Sequence, residues 1–261
     1  MPRLLPEDLL CKLLCKRRLA ICLDYDGTIA PITPNPEEAL PTAEIRDLIV
    51  TLAQFPSRTL IAIASGRRTE EVRALCGIDE PVAFIGMHGL EVVDWEGRRR
   101  LTSPTVHCQA ALDKARVWLK TIAGSRSGFY VEDKGLTFAL HYRRANIPEA
   151  LATIARLRAL VSRETPELEI LQGEQAVELV PRVAPDKGFS FLSLLERTPG
   201  PRCTPVFFSD DRSDEGAFYK LRRHGVTVLV GPERQSCAEY RIETREEMAG
   251  VLAAVADAIS T

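Results

Sequence analysis

Apolar residues along this chain follow two rhythms. Residues 19–23, 59–64 and 82–85 are short, continuous apolar runs, the pattern of parallel strands buried on both faces. Between them Ile45, Leu48, Ile49 and Leu52 recur at helical spacing. A helix is predicted over 70–76, stopped by Gly77. Pro31, Pro34 and Pro36 hold the stretch after the first strand in an extended loop. Ahead of everything, Cys11 and Cys15 stand four apart on a further helix.

The rhythm then changes. Leu112, Ala115, Leu119 and Ile122 mark a helix, and two strands over 129–131 and 136–142 flank the turn Asp133-Lys134-Gly135. A helix over 150–161 leads to two more strands, 168–171 and 176–180, around Gly173. Two strands, a helix and two strands make an α+β unit, not a continuation of the β-α-β alternation. Alternation resumes after Pro185, with helices over 189–195 and 217–222 and strands over 205–208 and 226–230. Thr244 and Glu247 have the spacing of a capping box that opens a last helix. The expected fold is therefore α/β, with a parallel-sheet core formed by 1–105 and 183–261 and interrupted by a smaller α+β domain over 106–182.

Composition changes this picture little. The chain has 261 residues, 45% of them apolar and 27% charged, with a net charge of −2. That balance is ordinary for a soluble globular protein and lacks the basic excess of a nucleic-acid binder. The Arg98-Arg99-Arg100 run reads as solvated surface charge. Seven scattered cysteines without paired Cys-x-x-Cys motifs argue against zinc and, as free thiols, for a reducing compartment. Lys12, Lys16, Arg17 and Arg18 interrupt the apolar N-terminal residues, and chemistry begins at residue 24, too early for a cleaved signal peptide. No apolar run nears the ~20 residues that span a bilayer. The expectation is a cytoplasmic monomer that binds neither membrane nor nucleic acid.

Four motifs carry chemistry, each at a predicted strand end or helix start. Asp24-Tyr25-Asp26-Gly27-Thr28 leaves the first strand. Two carboxylates there are costly unless they meet a cation or a substrate. One carboxylate can attack phosphorus and a second can trade protons with the leaving oxygen and with water. An Asp-Gly pair in an ordinary turn is the competing reading. Ser65-Gly66-Arg67 leaves the second strand, where a hydroxyl and amides can hold phosphate oxygens, although Ser-Gly is also a common loop pair. Asp186-Lys187-Gly188 opens a helix, and its lysine either neutralises a phosphoryl group or is merely exposed. Asp210, Asp211, Asp214 and Glu215 crowd the end of the strand over 205–208. Helix-start preference accounts for Asp214 and Glu215 but not for Asp210, which suits a magnesium ion.

Together, in this order, the four motifs resemble the haloacid dehalogenase superfamily of phosphatases. A narrower likeness is carried by Gly86-Met87-His88-Gly89, Val131-Glu132-Asp133-Lys134-Gly135, Ala139-Leu140-His141-Tyr142-Arg143 and Glu178-Leu179-Val180-Pro181. These resemble the trehalose-6-phosphate phosphatase family, from about residue 20 to 231. The resemblance implies a Rossmann-like core with an inserted α+β cap, and hydrolysis of trehalose 6-phosphate in trehalose biosynthesis. It implies Asp24 as nucleophile, Asp26 as acid/base, and Ser65 and Lys187 as phosphoryl holders. It implies Mg2+ on Asp24, the Asp26 carbonyl and Asp210, supported by Asp211 and Asp214. Arg67, His88, Glu132, Lys134 and Glu178 would contact substrate. Serine at 209, where the family usually has glycine, and serine at 213, where it has threonine, are departures. With no room for a glycosyltransferase domain, a separate trehalose-phosphate synthase is expected to supply the substrate. Other sugar phosphates (sucrose phosphate, glycosyl-phosphoglycerates), a sugar phosphomutase and a non-catalytic sugar-phosphate sensor are the alternatives.

Overall fold

In a computed structural model, described for residues 1–15, 17–102, 105–173, 175–182 and 184–260, the chain forms two compact units. One is Met1–Leu101 with Pro185–Thr261, the other Thr102–Ala184. The sequence division between 182 and 183 falls beside Val183, which lies outside the described residues.

The first part of the larger unit runs β1 (Arg3–Leu4), α1 (Leu9–Leu14), β2 (Arg18–Asp24), α2 (Ala43–Ala53), β3 (Thr59–Ala64), α3 (Thr69–Cys76), β4 (Ala83–Gly86), β5 (Glu91–Val93) and β6 (Arg99–Leu101). The smaller unit holds α4 (Thr105–Ser125), β7 (Tyr130–Asp133), β8 (Phe138–His141), α5 (Ile147–Glu164), β9 (Leu168–Gly173) and β10 (Ala176–Pro181). The larger unit closes with α6 (Lys187–Glu196), β11 (Cys203–Ser209), α7 (Glu215–Leu221), β12 (Val226–Val230), β13 (Tyr240–Ile242) and α8 (Glu247–Ser260).

The larger unit is built on one sheet in the order β1-β13-β12-β11-β2-β3-β4-β5-β6. Pairing is parallel from β1 through β4 and antiparallel at β5 and β6. The alternating side chains of the central strands serve opposite faces. Leu19, Ile21 and Leu23 of β2 pack in one core with α2 and α8 residues, Ile49 and Leu252 among them. Ala20 and Cys22 pack in another with Phe191 and Phe218. This two-sided burial is why β2 and β3 read as unbroken apolar runs. Each fully buried Ile, Leu or Phe side chain contributes about 1.5–3 kcal/mol.

Strand β2 lies between β3, its next neighbour in sequence, and β11, which comes much later. Such a reversal of strand order leaves a crevice at the carboxyl ends of the strands. The register sets what meets there. Asp24 pairs with Ala64, and Phe208 pairs with Leu23, so Ser209 stands level with Asp24.

The smaller unit is an antiparallel sheet in the order β7-β8-β10-β9. Its core joins Leu112 and Leu119 of α4 to Leu157 of α5 and to Phe138, Leu140, Val177 and Leu179 of the strands. Lys134 and Gly135 form the predicted turn after β7, with Lys134 N donating to Thr137 O at 3.0 Å.

Candidate active site

At the carboxyl end of β2, Asp24 is 3% exposed. Lys187, the first residue of α6, is 2% exposed and donates from Nζ to Asp24 Oδ1 at 2.8 Å and to Asp214 Oδ2 at 2.7 Å. A buried ammonium between two carboxylates keeps its proton: burial pulls Lys187 down, but Asp214 and Asp24 more than offset it and hold it well above the usual range. Burial pushes Asp24 well up; Lys187 draws it down, while Asp214, Asp210 and Asp211 add to the rise. Asp186 caps α6 by accepting from Phe189 N at 2.8 Å, which fixes where the helix begins and so where Lys187 stands.

Ser209 stands in the same cluster. Its Oγ donates to Asp214 Oδ2 at 2.6 Å, lies 3.3 Å from Asp24 Oδ2, and accepts from Asp211 N at 3.1 Å. The sequence marks Ser209 as an oddity; it does not show that the hydroxyl shares both acceptors of Lys187. Thr28 was also missed as a site residue. Its Oγ1 donates to Asp210 Oδ1 at 2.9 Å and accepts from Asp210 N at 3.1 Å. Between them Gly27 turns the chain at φ 85°, and a Cβ there would land on the Asp210 carboxylate. Only glycine lets that carboxylate approach so closely. Burial, reinforced by Asp211, raises Asp210 to about 6 despite the Thr28 hydrogen bond. Asp211 is held below the usual range: burial opposes this, but Lys187 and the hydrogen bond from Ser213 N outweigh it.

The loops after β3 and β4 are locked together. Ser65 N donates to Ile85 O at 2.8 Å, Met87 N to Arg67 O at 2.8 Å, and His88 N to Ser65 O at 3.2 Å. Arg67 N donates to Ser65 Oγ at 3.1 Å. Met87 and His88 both sit in the left-handed region, at φ 48° and 56°, a strain found chiefly where geometry matters more than stability. Gly89 follows at φ 112°, and a Cβ on it would come within 2.5 Å of Pro185 O, just before Lys187. The Gly86-Met87-His88-Gly89 motif thus lets the Ser65 loop approach the start of α6. His88 reaches the acidic cluster electrostatically, where it lowers Asp211. The Arg67 guanidinium forks onto Asp26, with Nε at 2.9 Å and Nη2 at 2.8 Å.

The structure therefore gathers Asp24, Asp26, Ser65, Arg67, His88, Lys187, Asp210, Asp211 and Asp214 in the larger unit. Glu132, Lys134 and Glu178 form a separate group in the smaller unit. There Lys134 is 7% exposed and donates to both Glu178 oxygens, at 3.1 and 3.2 Å. Thr137 Oγ1 donates to Glu178 Oε1 at 2.7 Å, and His141 Nε2 is hydrogen-bonded to Glu132 Oε2 at 3.0 Å. Thr137 and His141 were not singled out in the sequence, although His141 lies inside a motif that carries the family likeness.

Residues 22–246 match the family model described as trehalose-phosphatase. The chain belongs to the trehalose-phosphatase family. Within it, the chain is similar to the trehalose-6-phosphate phosphatase of Escherichia coli, with 34% identity over 80% of this chain and 76% of that one. It is also similar to a trehalose-phosphate phosphatase of Mycobacterium marinum, with 28% identity over 94% of this chain. The chain spans 63% of the length of that longer relative. The C-terminal domain of Candida albicans trehalose-6-phosphate phosphatase superposes with a TM-score of 0.86, covering 98% of each chain at 20% identity, and so has the same fold. A parallel-sheet core with an inserted α+β unit is the haloacid dehalogenase architecture expected from the sequence. Among the described residues, no helix is long and apolar enough to cross a membrane.

Proposed function

We propose that this chain hydrolyses trehalose 6-phosphate to trehalose and phosphate, as a Mg2+-dependent enzyme of trehalose biosynthesis. One observation carries the reading: in a trehalose-phosphatase family chain, a buried Asp24 at a strand end is held by a buried Lys187 at a helix start. Asp24 attacks the phosphorus, the bond to the sugar oxygen breaks, and Asp26 gives that oxygen a proton. Asp26 then takes a proton from water, which attacks the phosphorus of the aspartyl-phosphate and releases Asp24. Ser65 and Lys187 offset the negative charge on the transferring group.

The donors here fit magnesium. Asp24 and Asp210 supply carboxylates and Asp26 a backbone carbonyl, all hard oxygens, and Gly27 leaves the Asp210 carboxylate close against the turn. Among the described residues no group of three or more His, Cys, Asp or Glu side chains is arranged to hold a metal. Magnesium takes one or two carboxylates and fills its shell with water and substrate phosphate. When bound, Mg2+ would neutralise charge on the phosphoryl oxygens. Asp211 would support the site through the loop, and Asp214 by holding Lys187.

In the smaller unit, Glu132, Lys134 and Glu178 offer charged groups to sugar hydroxyls, in the role of a specificity cap. His88 and Arg67 would serve the substrate from the larger unit. The deciding experiment is phosphate release from trehalose 6-phosphate, glucose 6-phosphate and sucrose 6-phosphate, each with Mg2+ and with a chelator. A kcat/KM for trehalose 6-phosphate roughly a hundredfold above the others, lost on chelation and restored by Mg2+, is expected. Comparable rates on all three would overturn the substrate, and activity surviving chelation would overturn the metal.

A further inference from the structure

The larger unit has a second polar recess, far from Asp24. It has a volume of about 160 Å3 and is lined by Arg18, Arg98, Arg100, Arg197, Asp94 and Trp95, among others. Strand β2 enters the sheet at Arg18 and delivers Asp24 six residues later, so the recess and the catalytic end stand about 20 Å apart along that strand.

Three buried side-chain polar atoms among the described residues lack a hydrogen-bond partner: Arg18 Nε, Arg58 Nε and Ser213 Oγ. Two of the three are guanidinium nitrogens, and they are neighbours. Leu19 pairs with Thr59 and Leu19 N donates to Arg58 O at 2.9 Å, so the preceding residues, Arg18 and Arg58, are neighbours at this edge of the sheet, and of the two Arg18 lines the recess. A buried charged N–H without an acceptor is costly and calls for an occupant. Cys203 pairs with Arg18 in the sheet register, but a thiol is a poor acceptor.

The charges in the recess do not balance. Arg98 pairs with Asp94 at 2.9 Å and with Glu96 at 2.7 Å, and Arg100 reaches Asp94 at 3.5 Å. These two acids offset two of the arginines. Arg18 and Arg197 make no ion pair among the described residues, so the lining carries an excess of two positive charges. Beside them is an apolar wall. Trp95 donates from Nε1 to Ile61 O at 2.9 Å, which fixes the ring, and Leu60 and Leu194 complete that side. Two unpaired arginines and a fixed aromatic ring lining one recess match an oxyanion attached to a compact planar or apolar body.

We propose that this recess is a binding site for a small organic anion, its phosphate or carboxylate group on Arg18 and Arg197 and its body against Trp95. The site is separate from the catalytic carboxylates, and its ligand is not the sugar phosphate they act on.

The chain contains two tryptophans, so Trp118→Phe makes Trp95 the sole reporter. Its fluorescence is titrated, without metal, with phenylphosphonate, benzoate and neutral benzyl alcohol. A saturable response to phenylphosphonate or benzoate and none to benzyl alcohol is expected; the better of the two assigns the oxyanion as phosphate-like or carboxylate. Arg18→Gln and Arg197→Ala should each weaken it by roughly tenfold or more. Arg197 is exposed, so its variant will fold even if the Arg18 variant does not. No saturable response to either anion, an equal response to benzyl alcohol, or anion binding unchanged by Arg197→Ala would each overturn the proposal.

Discussion

Arg67 grips both carboxylate oxygens of Asp26, with Nε 2.9 Å from Oδ2 and Nη2 2.8 Å from Oδ1. The same guanidinium meets Glu71 through Nη1 at 2.5 Å and the carbonyl of Pro36 through Nη2 at 3.0 Å. Forty-one residues separate the pair, and the Ser65-Gly66-Arg67 loop supplies one half while the turn after β2 supplies the other. A planar fork on a carboxylate fixes direction as well as charge. In the proposed reaction Asp26 must present one oxygen to the leaving group, and Arg67 sets which way that oxygen faces.

This makes leaving-group chemistry the test of Arg67. Lysine keeps the charge but cannot fork, so Arg67→Lys should misalign Asp26 without removing it. With trehalose 6-phosphate, whose sugar alkoxide needs a proton, kcat should fall roughly 10- to 100-fold. With p-nitrophenyl phosphate, whose phenolate leaves unaided, the loss should be a few-fold. Equal losses on both substrates would remove Arg67 from the proton-transfer step and leave it a phosphate or substrate contact.

The Asp24–Lys187–Asp214 cluster separates activity from stability. Burial raises Asp24 well above its usual value. An acid whose folded pKa is raised destabilises the fold once ionised, at every pH above its unfolded value. Asp24→Asn, neutral and isosteric, should therefore abolish turnover while the melting temperature stays level or rises at pH 7. Lys187→Met does the reverse to the charges, leaving Asp24 and Asp214 buried without their cation. It should abolish turnover and also cost about 3–5 kcal/mol, or roughly 10 °C in melting temperature. Calorimetry of the two variants reads both signs, and a large drop for Asp24→Asn would contradict the charge argument.

How much of this was legible before the structure depended on range. The buried strands read directly, because β2, β3 and β12 are apolar on both faces; the run predicted over 59–64 is β3 itself. Strands β5, β6 and β13 were missed. They are three residues each, and all of β6 is exposed and starts with two arginines, so no apolar period marks them. Asp24, Ser65, Lys187 and Asp210 could be placed at strand ends and helix starts because those positions follow from local pattern. Partnerships across the fold could not be read that way. That Ser209 donates to Asp214, or that Thr28 closes on Asp210, depends on β11 lying beside β2, and no local spacing encodes that neighbourhood.

The Ser209 hydroxyl has one proton to donate. The short bond to Asp214 takes it, and Asp211 N donates to the same oxygen. Ser209→Gly removes a donor from one buried group and an acceptor from another, at a cost of about 1–3 kcal/mol. The melting temperature should drop by several degrees. The Lys187 bridge remains intact, so kcat should move by less than about tenfold. A collapse of kcat with unchanged stability would instead make Ser209 part of the chemistry.

In the smaller unit, acid pH should expose the worth of Glu132. Burial opposes its ionisation, but the His141 hydrogen bond and the charge of Lys134 outweigh that and hold it below the usual carboxylate range. A depressed carboxylate contributes stability that is complete above its unfolded pKa, about 4.3, and fades as pH falls through the lower folded value. Glu132→Gln should therefore be less stable than the parent at pH 7, and the gap should close as pH drops from about 5 to 3. Denaturant titrations of the two proteins across that window measure it. The same variant carries the functional test: replacing Glu132 should impair trehalose 6-phosphate turnover far more than that of p-nitrophenyl phosphate, which has no sugar to grip. A gap in stability that stays constant with pH would refute the electrostatic account, and equal losses on both substrates would refute the sugar contact.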